Sequence, residues 1–377
     1  MESIFELLSK QEELCDELKT YRSKNEIFEL LQHPLVYAVP YTPQMNAFYN
    51  KQLQFKQEKI KEYEAKKEWH RVVGLYEKPY RFNYMEKLIN EPSLGDKDYW
   101  EMLAWVWCDS ENLHQIPNLS DFLNADRKHK KHMMEEDEKK IFNKLPSKVM
   151  IYRGHQDINQ IGYSWTLSYS KAKFFSKRFY QKDNHISYAL CPKDLIAAIF
   201  LSRNEYEIVV EDPNALKICE FEKIERSEFL INIHQTATRE FKLEPRSDHG
   251  PDHWEKVERN TLILSKGMDE KEILTCRLFA ILHDCKREDE FDDPEHGYRA
   301  ARFVSKALEK PIRDSIGADN YKRLLEALRH HNEASISDDP VIGCCWDADR
   351  LDLLRVGIIP DKNLLSTKQG KKSIWKI

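Results

Sequence analysis

Residues 273–284, ILTCRLFAILHD, are apolar on nearly every side until the stretch ends on a histidine and an aspartate. A helix that is apolar all round has to be wrapped by other apolar helices. The neighbouring stretches supply them: TLILSKG (261–267), YRAARFVSKALEK (298–310) and NYKRLLEALRHH (320–331) carry apolar residues at helical spacing, with Gly, Pro and Asp at their junctions. From about residue 245 to the end the chain therefore reads as an all-helical packed region.

Polar residues at the edges of such helices carry the chemistry. His253 opens HWEKVERNTLIL, with Val257 one turn on; His283 and Asp284 close the apolar helix; Asp349 sits in WDADRLDLLRV, which predicts the start of another apolar helix. Imidazole nitrogen and carboxylate oxygen suit Mn, Fe, Zn or Mg. Ligands on separate helices meet only if those helices pack together, and the apolar flanks provide the packing.

The order His, His-Asp, Asp resembles the HD superfamily of metal-dependent phosphohydrolases. HGPDHWEKV (249–257), FAILHDCKR (279–287), DPEHG (293–297) and DADRLDLLRVG (347–357) look like its motifs, in order, over about 130 residues. The resemblance implies that His253, His283, Asp284 and Asp349 hold a divalent metal. It leaves His249 for substrate phosphate, and His296, His330 and His331 as candidates for a second metal. Lys286, Arg287 and Arg350 lie beside the motifs and are candidates either for a phosphate clamp or for ordinary surface ion pairs.

Upstream the texture changes. KVMIYRG, YSWTLSY, HISYAL, LIAAIFL and YEIVVED are short β-like runs between turn or helix signals. Arg153 ends one run, Ser164-Trp165-Thr166 make another, and Glu205 and Glu207 open the last; strict alternation places both glutamates on one side of a strand. Together with YWEMLAWVWCDSEN and KAKFFSKRF, this order resembles the Arg–Ser–Glu class of ADP-ribosyltransferases, which bind NAD in the cleft of a split β-sandwich. The resemblance implies that Arg153, Ser164 and Thr166 bind NAD and support its ribose. Glu207 would be the catalytic glutamate and Glu205 would orient the acceptor, with Tyr163 and Trp165 as wall surface. Thr in the last place of Ser-Trp-Thr, and the bulky Trp before it, depart from the motif.

Residues 1 to about 95 are rich in Glu, Lys and Leu, with helical spacing at Ile4, Phe5 and Leu8 and again at Ile27, Leu30 and Leu31; KQLQFKQEKIKEYEAKKEWH (51–70) predicts one long exposed helix. DRKHKKH (126–132) is offset by the EEDE that follows, which predicts a solvated helix. The basic TKQGKK (367–372) near the terminus reads as a phosphate attractor or a frayed end. A net charge of -5, from 59 basic and 64 acidic residues, sets aside bulk attraction to nucleic acid. Eight scattered cysteines without a C-x-x-C pair argue against a disulfide framework and fit a reducing cytosol. No apolar run approaches the ~18 residues of a membrane span, and the N-terminus is unlike a signal peptide.

The expected protein is a multidomain α+β cytoplasmic enzyme. It has a helical lead (1–95), a split β-sandwich ADP-ribosyltransferase-like domain (96–235) and an all-α HD phosphohydrolase domain (236–377). It would use NAD as a substrate, with a protein or nucleic-acid acceptor, and a divalent metal to cleave a nucleotide or phosphoester, with no membrane partner. The alternative is an HD phosphohydrolase whose front half is a non-catalytic nucleotide- or partner-binding module.

Overall fold

The computed structural model describes residues 11–111, 113–178, 184–202, 205–245, 247–333 and 335–376. It is a mixed α+β protein with small sheets and a helical C-terminal region, and it divides into two compact units, Met1–Lys139 and Lys140–Ile377. No described helix is long and apolar enough to cross a membrane.

In the first unit the lead is not wholly helical. Three strands, β1 (Arg22–Lys24), β2 (Glu29–His33) and β3 (Val36–Ala38), form an antiparallel sheet where Ile27, Leu30 and Leu31 predicted a helix. Asn25 decides the local fold: its Oδ1 accepts from the Ile27 and Phe28 amides and turns the chain back. Leu31 and His33 then alternate inward. Ile4, Phe5 and Leu8 lie outside the described residues.

The long helix α1 (Asn46–Ala65) stops before the end of the predicted run, since Lys67 has φ +57° and a shorter helix, α2 (Trp69–Leu75), follows. Helix α3 (Asp96–Asp109) carries Trp100, Trp105 and Trp107 as expected. DRKHKKH runs into a short 3-10 turn, Lys130–Met133, rather than an extended solvated helix.

In the second unit β4 (Lys148–His155), β5 (Ser164–Thr166), helix α4 (Tyr169–Ser176), β6 (His185–Pro192), β7 (Ile196–Phe200), β8 (Glu207–Val210) and β9 (Cys219–Glu220) follow in chain order. The strands expected to form a split sandwich all join one antiparallel sheet, in the order β7-β8-β5-β4-β6-β9.

The helical region comprises α5 (Pro251–Leu264), α6 (Glu270–Leu282), α7 (His296–Phe303), α8 (Ala318–His330) and α9 (Pro340–Arg350). Helix α6 begins at a capping box, Asp269 with Glu272, and its residues Leu278 to Leu282 have no exposed surface, as its composition demands. At roughly 1.5–3 kcal/mol for each large apolar side chain removed from water, this helix anchors the bundle. Helix α9 starts on Asp339, which caps the Val341 and Ile342 amides, with Pro340 in its first turn.

Sheet and bundle meet through charge and aromatic contact. Lys171 pairs with Asp248 (3.2 Å), Lys173 with Asp252 (3.0 Å) and Glu255 (2.6 Å), and the Tyr169 hydroxyl donates to Glu255 (2.6 Å). Residues 367–372 are not frayed: Asp347 accepts from the Ser366 and Thr367 amides, and Thr367 caps a helix, Lys368–Ser373.

Candidate metal centre

Five helix ends bring the candidate ligands together. His253 lies in the first turn of α5, which the Gly250-Pro251 pair starts. His283 and Asp284 follow directly on α6, and His331 follows α8. Asp349 sits in the last turn of α9, not at the start of a helix: Pro340 begins that helix nine residues earlier, and it ends where Asp349 meets the site. His296 begins α7. The next residue, Gly297, allows α7 to lie against the end of α8, since a Cβ there would come 2.5 Å from the Leu328 carbonyl oxygen.

Two groups of three could each hold a metal ion: His253, His283 and Asp349, and separately Asp284, His296 and His331. In the first, His253 Nε2 is 3.1 Å from His283 Nε2 and 3.2 Å from Asp349 Oδ1. In the second, His296 Nε2 is 2.8 Å from His331 Nε2 and 3.2 Å from Asp284 Oδ1. Asp284 touches both, because its other oxygen lies 3.5 Å from His283 Nε2 and 3.8 Å from His253 Nε2. The four expected ligands are thus divided between two groups, with the Asp284 carboxylate between them and two of the second-metal candidates, His296 and His331, beside it.

The protonation of the imidazoles follows from their outer nitrogens. Nδ1 of His253 meets Asp352 Oδ2 at 2.7 Å, Nδ1 of His283 meets the Ala280 carbonyl at 3.0 Å, and Nδ1 of His331 meets the Leu328 carbonyl at 2.9 Å. Nδ1 of His296 is bonded to the Asp293 carbonyl. Carbonyl and carboxylate oxygens only accept, so each Nδ1 carries a hydrogen, and in each ring that is neutral Nε2 is left as the lone pair facing inward. Four lone pairs and two carboxylates converging in a buried place repel one another unless a cation sits among them. Neutral imidazole and carboxylate are also the donor set that Mn, Fe, Zn or Mg accept, so the residues fit the group.

Electrostatics agrees. Burial pushes His283 down to about 3 and His296 down to about 4, so both are neutral ligands. Burial alone would raise Asp284, but His283 and the hydrogen bonds from His249 and His331 hold it well below the usual carboxylate range. Burial would likewise raise Asp349, and His253 and His283 hold it low. His253 is the exception. Burial and Arg355 act to lower it, yet its bonds to Asp349 and Asp352 prevail and raise it. A proton on His253 occupies the place that a cation would take.

The remaining candidates separate. His249 lies outside both groups, with Nδ1 3.1 Å from Asp284 and 3.2 Å from the Arg355 guanidinium. His330 points away, to Glu333 at 2.7 Å. Lys286 pairs with Glu240 and lies over the Phe303 ring, away from the cluster. Arg287 and Arg350, with His249, Asp284, His331 and Arg355, line a cavity of about 290 Å³ beside the two groups.

Sequence reasoning missed Asp352 and Arg355. Asp352 orients His253; Arg355 donates to the Asp248 and Asp352 carbonyls and lies 3.2 Å from His249 Nδ1. The available signal was their spacing, three and six residues after Asp349.

The sheet places Arg153, Ser164 and Glu207 on three neighbouring strands, β4, β5 and β8, with Thr166 directly opposite Glu207. Arg153 bonds to the backbone carbonyls of Ser164 and, at 3.0 Å, Asn159, while its Nε has no acceptor among the described residues. Burial lowers Arg153 to about 10, opposed by the Glu207 charge. Glu205 does not share the strand with Glu207. Tyr206 between them has φ +49°, which ends the alternation before β8 begins, and the Thr166 hydroxyl donates to the Glu205 carbonyl at 2.7 Å. Trp165 is buried in the core and donates to the Gly162 carbonyl, so it offers no open wall. Nothing in the known protein families, the curated proteins or the solved structures matches this chain.

Proposed function

We propose that this chain is a metal-dependent phosphohydrolase of the HD type, acting on a nucleotide or phosphoester at the His/Asp cluster. The observation that carries the reading is the set of four imidazoles anchored through Nδ1, with their Nε2 atoms turned onto Asp284 and Asp349. The order His253, His283-Asp284, Asp349 along the chain supports the same class. His253, His283 and Asp349 would hold one cation and Asp284, His296 and His331 a second. When bound, such cations supply a water of lowered pKa and neutralise phosphoryl oxygens.

The chain's own groups do the rest. Arg287 gives its Nε to the Asp289 carbonyl and keeps one terminal nitrogen uncommitted among the described residues, available to a phosphoryl oxygen at the cavity. His249 lines the same cavity with Nε2 outside any described hydrogen bond, placed to give a proton to a leaving oxygen. Asp352 and Arg355 keep His253 and His249 in orientation. Metal analysis of the purified chain, with a panel of phosphomonoesters, phosphodiesters and nucleotides assayed in manganese, tests the reading. Retained metal with hydrolysis that Asp284→Ala abolishes is the expected result. A chain that takes up no divalent metal and cleaves none of the panel sinks it.

A second activity, NAD-dependent ADP-ribosyl transfer at Arg153, Ser164 and Glu207, is favoured by one observation: a largely enclosed arginine on the strand beside Ser164 has an N–H without an acceptor among the described residues. The alternative is that the sheet is a binding module for the hydrolase. Release of nicotinamide from labelled NAD, lost in Glu207→Gln, supports transfer; NAD binding without turnover supports the module.

A further inference from the structure

The first unit contains a cavity that the metal centre does not explain. It encloses about 570 Å³ between α2 and α3 and is lined by Trp69, Gly74, Leu94, Met102 and Trp105, with Asp98 and Glu101 on the side of α3. Leu94 and Met102 are buried, whereas Trp105 leaves 40% of its surface open. An indole so exposed beside an open cavity is an unusual use of a large apolar side chain.

Gly74 sharpens the point. It is the last residue but one of α2. Its backbone does not require it: φ is ordinary, and a Cβ would meet nothing nearer than the Trp105 ring at 3.8 Å, an ordinary contact. A side chain much larger than methyl at this position would enter the space beside Trp105.

The charge at the cavity selects the guest. Asp98 has no ion pair among the described residues, and Glu101 has only Lys97 at 3.5 Å, both well exposed. Lys67 also lines the cavity, so two carboxylates face one ammonium. An anion such as a nucleotide phosphate is therefore disfavoured, and a cation is favoured. The Trp105 ring already accepts one: the Arg81 guanidinium, tied to Asp109, lies 4.6 Å from its centroid. A planar cation can stack on indole and pair with a carboxylate at once.

We propose that this cavity is a binding site for a guanidinium group carried on a slim chain, held by Trp69 and Trp105 and neutralised by Asp98 and Glu101. The shared chemistry is that of a free guanidine metabolite and of an arginine side chain in a partner.

Calorimetric titration of the full chain with agmatine, with a blocked Gly-Arg-Gly peptide and with the same peptide carrying citrulline tests the site, since citrulline keeps the shape and removes the charge. Saturable binding of an arginine-type probe, roughly tenfold or more tighter than citrulline, is expected. It should be lost in Gly74→Leu, which fills the cavity, and weakened about tenfold in the doubly neutralised Asp98→Asn, Glu101→Gln chain. Tighter binding of the peptide identifies an arginine side chain as the guest; equal binding identifies the guanidinium group alone. The exposed double substitution keeps the test valid if Gly74→Leu does not fold. Failure of both guanidinium probes to saturate, equal binding of citrulline, or binding unchanged in the double variant overturns the proposal.

Discussion

The helical cluster and the sheet set differ in where their polar groups spend their bonds. At the cluster every imidazole satisfies its outer nitrogen locally and leaves the inner one turned toward its neighbours. On the sheet, Arg153 spends most of its guanidinium on two carbonyls of its own fold. Like groups left facing one another call for a ligand of opposite character. A cation that has already found backbone oxygens is part of the scaffold until something competes for it.

Five measurements can break or sharpen this contrast. The largest effect is expected from Asp284→Ala, which removes the carboxylate common to both groups. The unchanged chain should gain about 2.7 kcal/mol of stability per bound ion at a hundredfold excess of manganese over its Kd, and the variant distinctly less. Equal gains in both would refute the shared-carboxylate arrangement. Next, Arg153→Ala should lower stability by about 1.5–3 kcal/mol, because charged hydrogen bonds to two carbonyls are lost. The loss should be the same with or without manganese; a metal-dependent loss would tie the sheet to the cluster more closely than the contrast allows.

Third, Asp352→Ala frees the His253 ring. Metal affinity should fall by about 10–100-fold, and an unchanged affinity would make Asp352 an ordinary buried acid.

The fourth is a pH effect in the metal-free chain. His283 and His296, held at about 3 and about 4 by burial against 6.5 when unfolded, bind fewer protons folded than unfolded across that window. Their contribution is complete above 6.5 and is lost as pH falls toward 4. His253 runs the opposite way: its folded value is raised, so its contribution is present below 6.5 and lost as pH rises through that value. The His253 window lies above 6.5, so below it the two lowered imidazoles alone set the slope, a loss of up to about 2.7 kcal/mol per pH unit on acidification toward 4. Denaturant unfolding at several pH values measures the slope, and a flat profile contradicts it. The smallest effect, about 0.5–1.5 kcal/mol, is expected for Tyr169→Phe, which removes the hydroxyl's bonds to Glu255 and Arg259 without touching either set. A change in metal affinity in that variant would show that the two regions communicate.

How far the chain could be read from its letters depended on what each feature needs. The apolar run 273–282 announces a buried helix, and a His-Asp pair at its end has nowhere to go but the place where other helices stop. The five middle strands were legible from their β-branched runs and turn signals. His330 and His331 were not distinguishable, because adjacent residues on a helix differ only in direction, and the end of α8 decides which one turns inward. The division of Asp284 between two groups is a matter of two oxygens on one residue, which no spacing expresses. Glu205 and Glu207 were assigned to one strand by alternation. A tyrosine in the left-handed region breaks that alternation, and nothing about tyrosine forecasts such a conformation. The sheet at 22–38 was missed because Ile27, Leu30 and Leu31 also match a helical spacing, and the turn at Asn25 overrode it.

The direction in which the helices run has a consequence of its own. Helices α6, α8 and α9 all arrive at the cluster by their carboxyl ends, within a residue or two of His283, Asp284, His331 and Asp349, and only α5 and α7 begin there. A helix terminates in carbonyls without partners and carries about half a negative charge at that end. Three such ends against the two amino ends of α5 and α7 leave a net negative potential made of peptide groups, which no acid can protonate. Attraction for a cation is thus set by how the backbone is threaded as well as by side chains. Some of it should persist at acidity that silences the imidazoles.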